Sequence, residues 1–279
     1  MPLERLSTVL KEADQEGYAI AAFNAFNYES ILWVCEAAEE EDTPIIIMFY
    51  PGFSSYIQAS TFAAITKDVA AKTKVPVVLH LDHCKSFDEI VSAMWYGFTS
   101  VMIDGSSLEF EDNITATKEI VKVAHAIGAD VEAELGYVGQ AANPEDFVDR
   151  NHYTSPSQAA EFAQRTGVDA LAIAIGNAHG NYVLEPHLDI ELLKEINAAA
   201  DVPLVLHGGS GIPSDQLKEA VKYGINKLNI GTEFGHLFYT ESQKVLESNS
   251  TVSNMMEYMQ EIKRPVKEYV RNKIRLIKP

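Results

Sequence analysis

The sequence predicts a (β/α)8 barrel, and three observations carry that expectation. Eight short runs of β-branched and other apolar residues recur along the 279-residue chain. Amphipathic helical stretches separate them. Polar residues gather where the runs end, which is the rim on which barrels of this kind build their sites.

The runs lie at residues 19–23, 44–49, 75–81, 100–103, 131–135, 170–174, 203–206 and 227–230. They are mostly continuous rather than alternating in hydrophobicity, as suits strands covered on both faces. Helical patterns at 29–40, 87–96, 113–126, 156–166, 190–199 and 214–223 fall between them, with cap signals at Ser86-Phe87-Asp88-Glu89 and Ser214-Asp215. A doubly wound sheet would show fewer strands, or a glycine-rich fingerprint after the first one. Phe23-Asn24 stands there instead.

No linker, repeat or composition break interrupts the pattern, so residues 1–279 read as a single barrel domain with a C-terminal helical extension at 251–277. The Met255, Met256 and Met259 cluster of that extension suits either an interface or packing on its own barrel.

Forty acidic against 22 basic residues give a net charge of −18, the wrong balance for a nucleic-acid binder. An anionic ligand would have to be held by backbone N–H groups and a few local cations. No apolar run approaches the ~18–20 residues that span a bilayer. The first sixteen residues are polar and amphipathic without a signal-peptide pattern, so a cytoplasmic location without a membrane partner is expected. Cys35 and Cys84 form no spacing motif and are expected as reduced thiols.

Polar groups lie within or just after seven of the eight runs. They are Asn24, Asp82-His83, Asp104, the fifth-run pair Glu132 and Glu134, His179-Gly180, His207-Gly208-Gly209-Ser210-Gly211 and Asn229-Ile230-Gly231-Thr232-Glu233. Of eight histidines, His83, His179 and His207 fall at strand C-termini, and three imidazoles around an open position suit a catalytic zinc acting as a Lewis acid. His80 reads as a core or supporting residue, and His125 and His187 as surface positions. Asp82 has two readings: a proton carrier beside a polarised carbonyl, or an orienting partner of a histidine. The glycine-rich turns after the last two strands favour a phosphorylated ligand.

Nearly the whole chain resembles the class II, metal-dependent ketose-bisphosphate aldolases, a family that includes the fructose- and tagatose-bisphosphate enzymes. The likeness rests on Ala22-Phe23-Asn24, His80-Leu81-Asp82-His83, Ser100-Val101-Met102-Ile103-Asp104-Gly105-Ser106, Val131-Glu132-Ala133-Glu134-Leu135-Gly136, Gly176-Asn177-Ala178-His179-Gly180, His207-Gly208-Gly209-Ser210-Gly211 and Lys227-Leu228-Asn229-Ile230. The resemblance implies zinc on His83, His179 and His207, with Glu134 as an alternative ligand, and Asp82 as the group that moves the proton of the cleaved carbinol. It implies that Asn24, Gly180, Gly208, Gly209, Ser210, Asn229, Ile230, Gly231 and Thr232 bind substrate. A monovalent cation near the phosphate and a homodimeric or homotetrameric assembly are implied as well.

The reaction so implied is retro-aldol cleavage of a ketose 1,6-bisphosphate or related ketose 1-phosphate to dihydroxyacetone phosphate and an aldehyde. A tagatose-type or modified-sugar substrate is the alternative to the glycolytic one, and a non-catalytic sugar-phosphate-binding relative stands behind both. Departures from the family pattern concentrate on the aldehyde half. Gly139-Gln140-Ala141-Ala142-Asn143-Pro144-Glu145-Asp146 replaces a Gly-Gly-x-Glu-Asp loop, leaving either Ala142 or, with a shift, Glu145 at the glutamate position. Gly231 stands where fructose enzymes carry aspartate, Asn177 where threonine or serine is usual, and Lys85 where a small residue is common. Asn254-Met255-Met256 replaces Asp-Pro-Arg.

Overall fold

The computed structural model describes residues 3–248 and 252–278. The elements run α1 (Leu6–Glu16), β1 (Ile20–Asn24), α2 (Tyr28–Glu40), β2 (Ile45–Phe49), α3 (Ala59–Lys72), β3 (Val77–Cys84), α4 (Phe87–Tyr96), β4 (Ser100–Ile103), α5 (Phe110–Ile127) and β5 (Asp130–Leu135). They continue with α6 (Glu145–Val148), α7 (Pro156–Thr166), β6 (Ala170–Ile173), α8 (Ile190–Ala199), β7 (Leu204–Leu206), α9 (Ser214–Lys222), β8 (Ile225–Ile230), α10 (Thr232–Glu247) and α11 (Met255–Ile277). Each strand pairs in parallel with its sequence neighbours and β8 returns to β1, closing the sheet. The architecture is the (β/α)8 barrel that the run pattern predicts.

Period-two alternation divides the apolar residues into two cores. Val77, Leu79 and Leu81 of β3 and Val131, Ala133 and Leu135 of β5 face outward and pack under the helices. Ile20, Ala22, Ile46, Met48, Val78, Ala170, Ala172 and Val205 face inward, where Leu6, Val9, Leu10 and Ala13 of α1 close the end of the barrel at which the strands begin. The backbone N–H of Ser7 and the Arg5 Nε both donate to the buried Asp130 carboxylate, at 2.7 and 3.0 Å, and so anchor α1.

Several element ends depart from expectation. Strand β3 runs on to Cys84 instead of stopping at Leu81, and β8 begins at Ile225, two residues early. Ser86 caps α4 by accepting from the Glu89 N–H at 3.3 Å, as its spacing predicts. Ser214 does not cap α9: it is the first helical residue, after Pro213, and Asp215 in the first turn meets the positive end of the helix dipole.

Thr251, the first residue of the expected C-terminal extension, lies outside the described residues. The helix there is α11, whose Ile262, Val266, Val270, Ile274 and Ile277 form one buried stripe against this chain's own barrel. Lys263, Lys267, Arg271 and Arg275 pair from α11 with Glu36 and Glu40 of α2 and with Glu41 just after it. These pairs are partly exposed and stabilise little individually; the apolar stripe holds the helix. Met259 packs against the stripe's core, whereas Met255 and Met256 are exposed.

Truncating that stripe should be costly. We expect Ile274→Ala to lower unfolding free energy by about 2–5 kcal/mol, read from urea denaturation; a cost near zero would mean that α11 does not hold the barrel.

Candidate metal centre and active site

The site begins with an irregularity in β3. Strict alternation would send Asp82 inward and His83 outward. The β3–β4 register shifts between Leu81 and Cys84, and His83 takes a left-handed φ of 47°. This extra residue turns His83 back toward the rim beside Asp82. Non-glycine residues adopt such a φ rarely, and strain of this kind gathers at functional sites.

His207 stands directly after β7 and His179 in the loop after β6. A short bridge to the loop after β5 fixes His179: its N–H donates to the Gly139 carbonyl and its carbonyl accepts from the Ala141 N–H, both at 2.8 Å. Gly208 is required by the turn after His207, because its φ is 65° and a Cβ there would lie 2.0 Å from the Ala178 carbonyl oxygen. The result is a cluster with ring centroids 4.6 Å apart for His83–His179 and His83–His207, and 5.7 Å for His179–His207. One ring nitrogen of each lies within 4.8 Å of the others.

The outer nitrogen of every imidazole meets an acceptor. His83 Nδ1 faces Asp104 Oδ2 at 3.4 Å, His179 Nδ1 the Val138 carbonyl at 3.1 Å, and His207 Nε2 the Glu132 Oε1 at 2.8 Å. Carbonyl and carboxylate oxygens only accept, so each outer nitrogen carries the hydrogen and each inner nitrogen presents a lone pair. Two of those lone pairs, His83 Nε2 and His207 Nδ1, sit 2.8 Å apart. A cation has to lie between them, either a proton or a metal ion. His179 Nε2 and Glu134 Oε2 are buried without a hydrogen-bond partner, and the latter is 3.3 Å from His207 Nδ1. Three neutral nitrogens with an adjacent orphan carboxylate oxygen fit a divalent metal of the zinc type.

Without a metal, the electrostatics place the proton of the cluster on His83. Burial alone would depress His83, but the Asp82, Asp104 and Glu134 carboxylates outweigh it and push the imidazole up to about 9. Burial, then the charge on His83, lowers His179 to about 4 and carries His207 well below the usual histidine range. Burial raises Glu134 to about 8. Burial would also raise Asp104, but its hydrogen bonds from His83 and Ser106 hold it well below the usual carboxylate range.

Asp82 hydrogen-bonds no histidine. Its Oδ2 accepts from Asn24 Nδ2 at 2.8 Å and its Oδ1 from Asn229 Nδ2 at 3.2 Å. The histidine-orienting part falls instead to Asp104 and Glu132, which the sequence placed at strand ends without a role. His80 is a buried supporting residue, its Nδ1 2.8 Å from Ser100 Oγ, and His125 and His187 are exposed, as read from the sequence.

The glycine-rich turns meet beside this cluster. Gly209 N–H donates to the Asn229 carbonyl at 3.0 Å, and the Glu233 N–H, in the first turn of α10, donates to Ser210 Oγ at 3.2 Å. Thr232 opens α10, and Gly180 directly follows His179, two residues before Tyr182, whose hydroxyl accepts from Ala178 N–H and donates to the Gly208 carbonyl. Ile230 differs from its neighbours: its side chain lies in the outer apolar core, so only its backbone can serve a ligand.

The structure also shows what surrounds several of the family departures. A Cβ on Gly231 would lie 2.5 Å from Asn24 Oδ1, so the Asn24 side chain takes the space an aspartate would enter. Asn177 is buried and braces the ends of β6 and β7, donating to the Ile173 and His207 carbonyls and accepting from Ile175 N–H. Neither Ala142 nor Glu145 reaches the histidines. Glu145 is exposed on α6, and Asp146 organises the loop, accepting from Gln140 N–H at 2.7 Å and Asn143 Nδ2 at 2.6 Å. Lys85 is mostly exposed, 3.7 Å from Asp104.

A cavity of about 320 Å3 opens against His83, His179 and Glu134, with Tyr50, Ser106, Ser107, Tyr137 and Gln140 in its wall. Sequence reasoning missed these five. The signal was there for Tyr50, Ser106, Ser107 and Tyr137, which follow β2, β4 and β5 by one to four residues.

The chain belongs to the class II fructose-bisphosphate aldolase family: the profile described as "Fructose-bisphosphate aldolase class-II" matches residues 4–279. It is 42% identical over 265 residues, 95% of this chain and 94% of the relative, to the Escherichia coli K12 protein named "Uncharacterized protein YdjI". The crystal structure of the YdjI aldolase from Escherichia coli K12 superposes with a TM-score of 0.89 at 39% identity, covering 99% of this chain and 97% of that one. A putative fructose-1,6-biphosphate aldolase from Coccidioides immitis gives 0.85 at 29% identity, over 98% and 96% of the two chains. Among the described residues no helix is long and apolar enough to cross a membrane.

The inner lone pairs set a pH dependence. In the metal-free protein His83 holds its proton up to about 9, and a metal has to displace it. Apparent zinc affinity should therefore rise by about tenfold per pH unit between pH 7 and 9 and fall as pH drops, with roughly one proton released per metal bound. Calorimetry in buffers of different ionisation enthalpy measures this; a pH-independent affinity would refute the displaced proton.

Proposed function

We propose that the protein is a zinc-dependent class II aldolase that reversibly cleaves a phosphorylated ketose, a ketose 1,6-bisphosphate or related ketose 1-phosphate, to dihydroxyacetone phosphate and an aldehyde. One observation carries the reading. The Asp82 carboxylate, free of the histidines and gripped by two amide donors, stands beside three clustered imidazoles whose outer nitrogens all face oxygen acceptors.

His83, His179 and His207 would hold zinc, with Glu134 as the alternative ligand. When bound, zinc supplies Lewis-acid polarisation of the substrate's carbonyl. Asp82 takes the C4 hydroxyl proton as the C3–C4 bond breaks and its electron pair passes toward the polarised carbonyl; a proton from solvent at C3 then completes dihydroxyacetone phosphate, and condensation reverses both transfers. Asn24 and Asn229 keep its two oxygens aimed, so little reorganisation accompanies the transfer. The turns at Gly180, Gly208 to Ser210 and Gly231 to Thr232, with the N-terminus of α10, suit the 1-phosphate, together with a monovalent cation; backbone N–H groups at a helix start favour an anion even on a chain of net charge −18.

The aldehyde end is read differently from that of the glycolytic enzymes. Gly231 backed by Asn24, and a wall of Tyr50, Tyr137 and Gln140 without a loop glutamate, favour a tagatose-type or modified sugar. The proposal extends to a homodimer or homotetramer of single-domain chains in the cytoplasm, with a sugar phosphate rather than nucleic acid as partner; the family resemblance and the acidic charge support it.

Asp82→Asn should cut turnover by about 10²–10⁴-fold while metal content stays at the parent's level. Exhaustive chelation should abolish cleavage, and zinc or cobalt should restore it. An assay across ketose 1-phosphates and 1,6-bisphosphates, coupled to detection of dihydroxyacetone phosphate, decides the substrate. Full turnover by the chelated protein, or by Asp82→Asn, would overturn the proposal.

A further inference from the structure

We propose that Glu132 and Lys227 are positioning residues: a buried pair inside the barrel that holds His207 with its Nδ1 toward the metal. This rests on the reading that the three histidines bind a divalent ion, and not on the identity of the sugar. Neither residue reaches the cavity. Glu132 on β5, Lys227 on β8 and His207 after β7 are all 0% exposed.

The geometry commits both oxygens of one carboxylate. Oε2 accepts from Lys227 Nζ at 2.7 Å, and Oε1 accepts from His207 Nε2 at 2.8 Å. The carboxylate cannot turn without losing one of them. His207 therefore keeps its hydrogen on Nε2 and its lone pair on Nδ1, the nitrogen 2.8 Å from His83 Nε2. The other two histidines have looser outer partners, a rim carboxylate at 3.4 Å and a loop carbonyl at 3.1 Å. His207 is thus the fixed corner of the cluster, tied to two strands of the sheet, while His83 and His179 adjust to the ion.

Lys227 has a definite part in this. A glutamate alone in the barrel would be an uncompensated charge, and a lysine alone likewise. Side by side they compensate each other, and the oxygen left over is the one His207 uses. Buried ion pairs can often be replaced by apolar residues of similar volume without loss of stability, so folding does not require these charges. Orientation of His207 does.

Two double variants avoid stranding a single charge. Glu132→Leu with Lys227→Met removes the acceptor, whereas Glu132→Gln with Lys227→Met keeps an amide oxygen where Oε1 stood. The full-length chain is stripped by chelation, and Co2+ binding is followed by competition with a chelating dye and by the cobalt absorption band. We expect the Leu/Met protein to bind Co2+ about 10–100-fold more weakly than the parent, with an altered band and a still cooperative unfolding transition, and the Gln/Met protein to recover most of the affinity. Nitrogen-15 NMR of the metal-free parent should show His207 protonated on Nε2 and bare on Nδ1.

Parent-like Co2+ affinity in the Leu/Met protein overturns the proposal. So does equal weakness of the two variants, which would trace the loss to packing, or a parent His207 protonated on Nδ1. Should the Leu/Met chain not fold, the Gln/Met affinity and the parent spectrum decide between the same outcomes. A zinc-loaded parent that cleaves no ketose phosphate, yet shows the expected tautomer and metal dependence, would remove the aldolase proposal and leave this one standing.

Discussion

Closing eight parallel strands into a barrel points every second side chain into an interior without water, and this chain places ionisable groups there. His80, Glu132 and Lys227 all have 0% exposure. A buried charge survives only when paired and hydrogen-bonded, so these groups are forced into contacts across strands that are far apart in sequence. Those contacts run upward to the rim, where Glu132 Oε1 meets His207 Nε2. The lower half of the same interior is apolar and closed by α1. The barrel is therefore a packed plug below and a hydrogen-bonded scaffold above.

A second constraint is local. A regular strand cannot show adjacent residues on the same face, yet Asp82 and His83 both face the rim. The register shift in β3 and the left-handed His83 resolve the conflict at the cost of one strained residue. The compensation is the set of partners gained on either side, two amides for Asp82 and a carboxylate for His83. The same economy of space explains Gly208 and Gly231, where a Cβ would collide with the Ala178 carbonyl and with Asn24.

Membership in the class II aldolase family makes the differences from the family pattern informative. Asn177 stitches two strand ends together and belongs to the scaffold. Gly231 and Asn24 form a complementary pair, one yielding the space the other fills. The loop from Gly139 to Asp146 closes around its own aspartate and fastens to His179 rather than sending an acidic side chain into the cavity. Gly231, Asn177 and the loop are thus each compensated nearby, and Gln140 and Lys85 lie in the wall of the cavity beside the histidines.

The fold and most of the rim were legible in the primary sequence because both rest on local rules. Apolar runs at strand spacing count the strands, and the barrel's habit of building sites where strands end picks out Asn24, Asp82, His83, Glu134, His179, His207 and Asn229. Local rules do not reach across the barrel. That Asp82 is held by Asn24 and Asn229, that Glu132 and Asp104 rather than Asp82 orient histidines, that Ile230 turns away from the site, and that Tyr50, Tyr137 and Gln140 line the cavity were decided only by the tertiary structure. These relations join residues tens to more than a hundred positions apart, and their geometry depends on register, bulge and strand tilt, none of which the order of residues along one strand expresses.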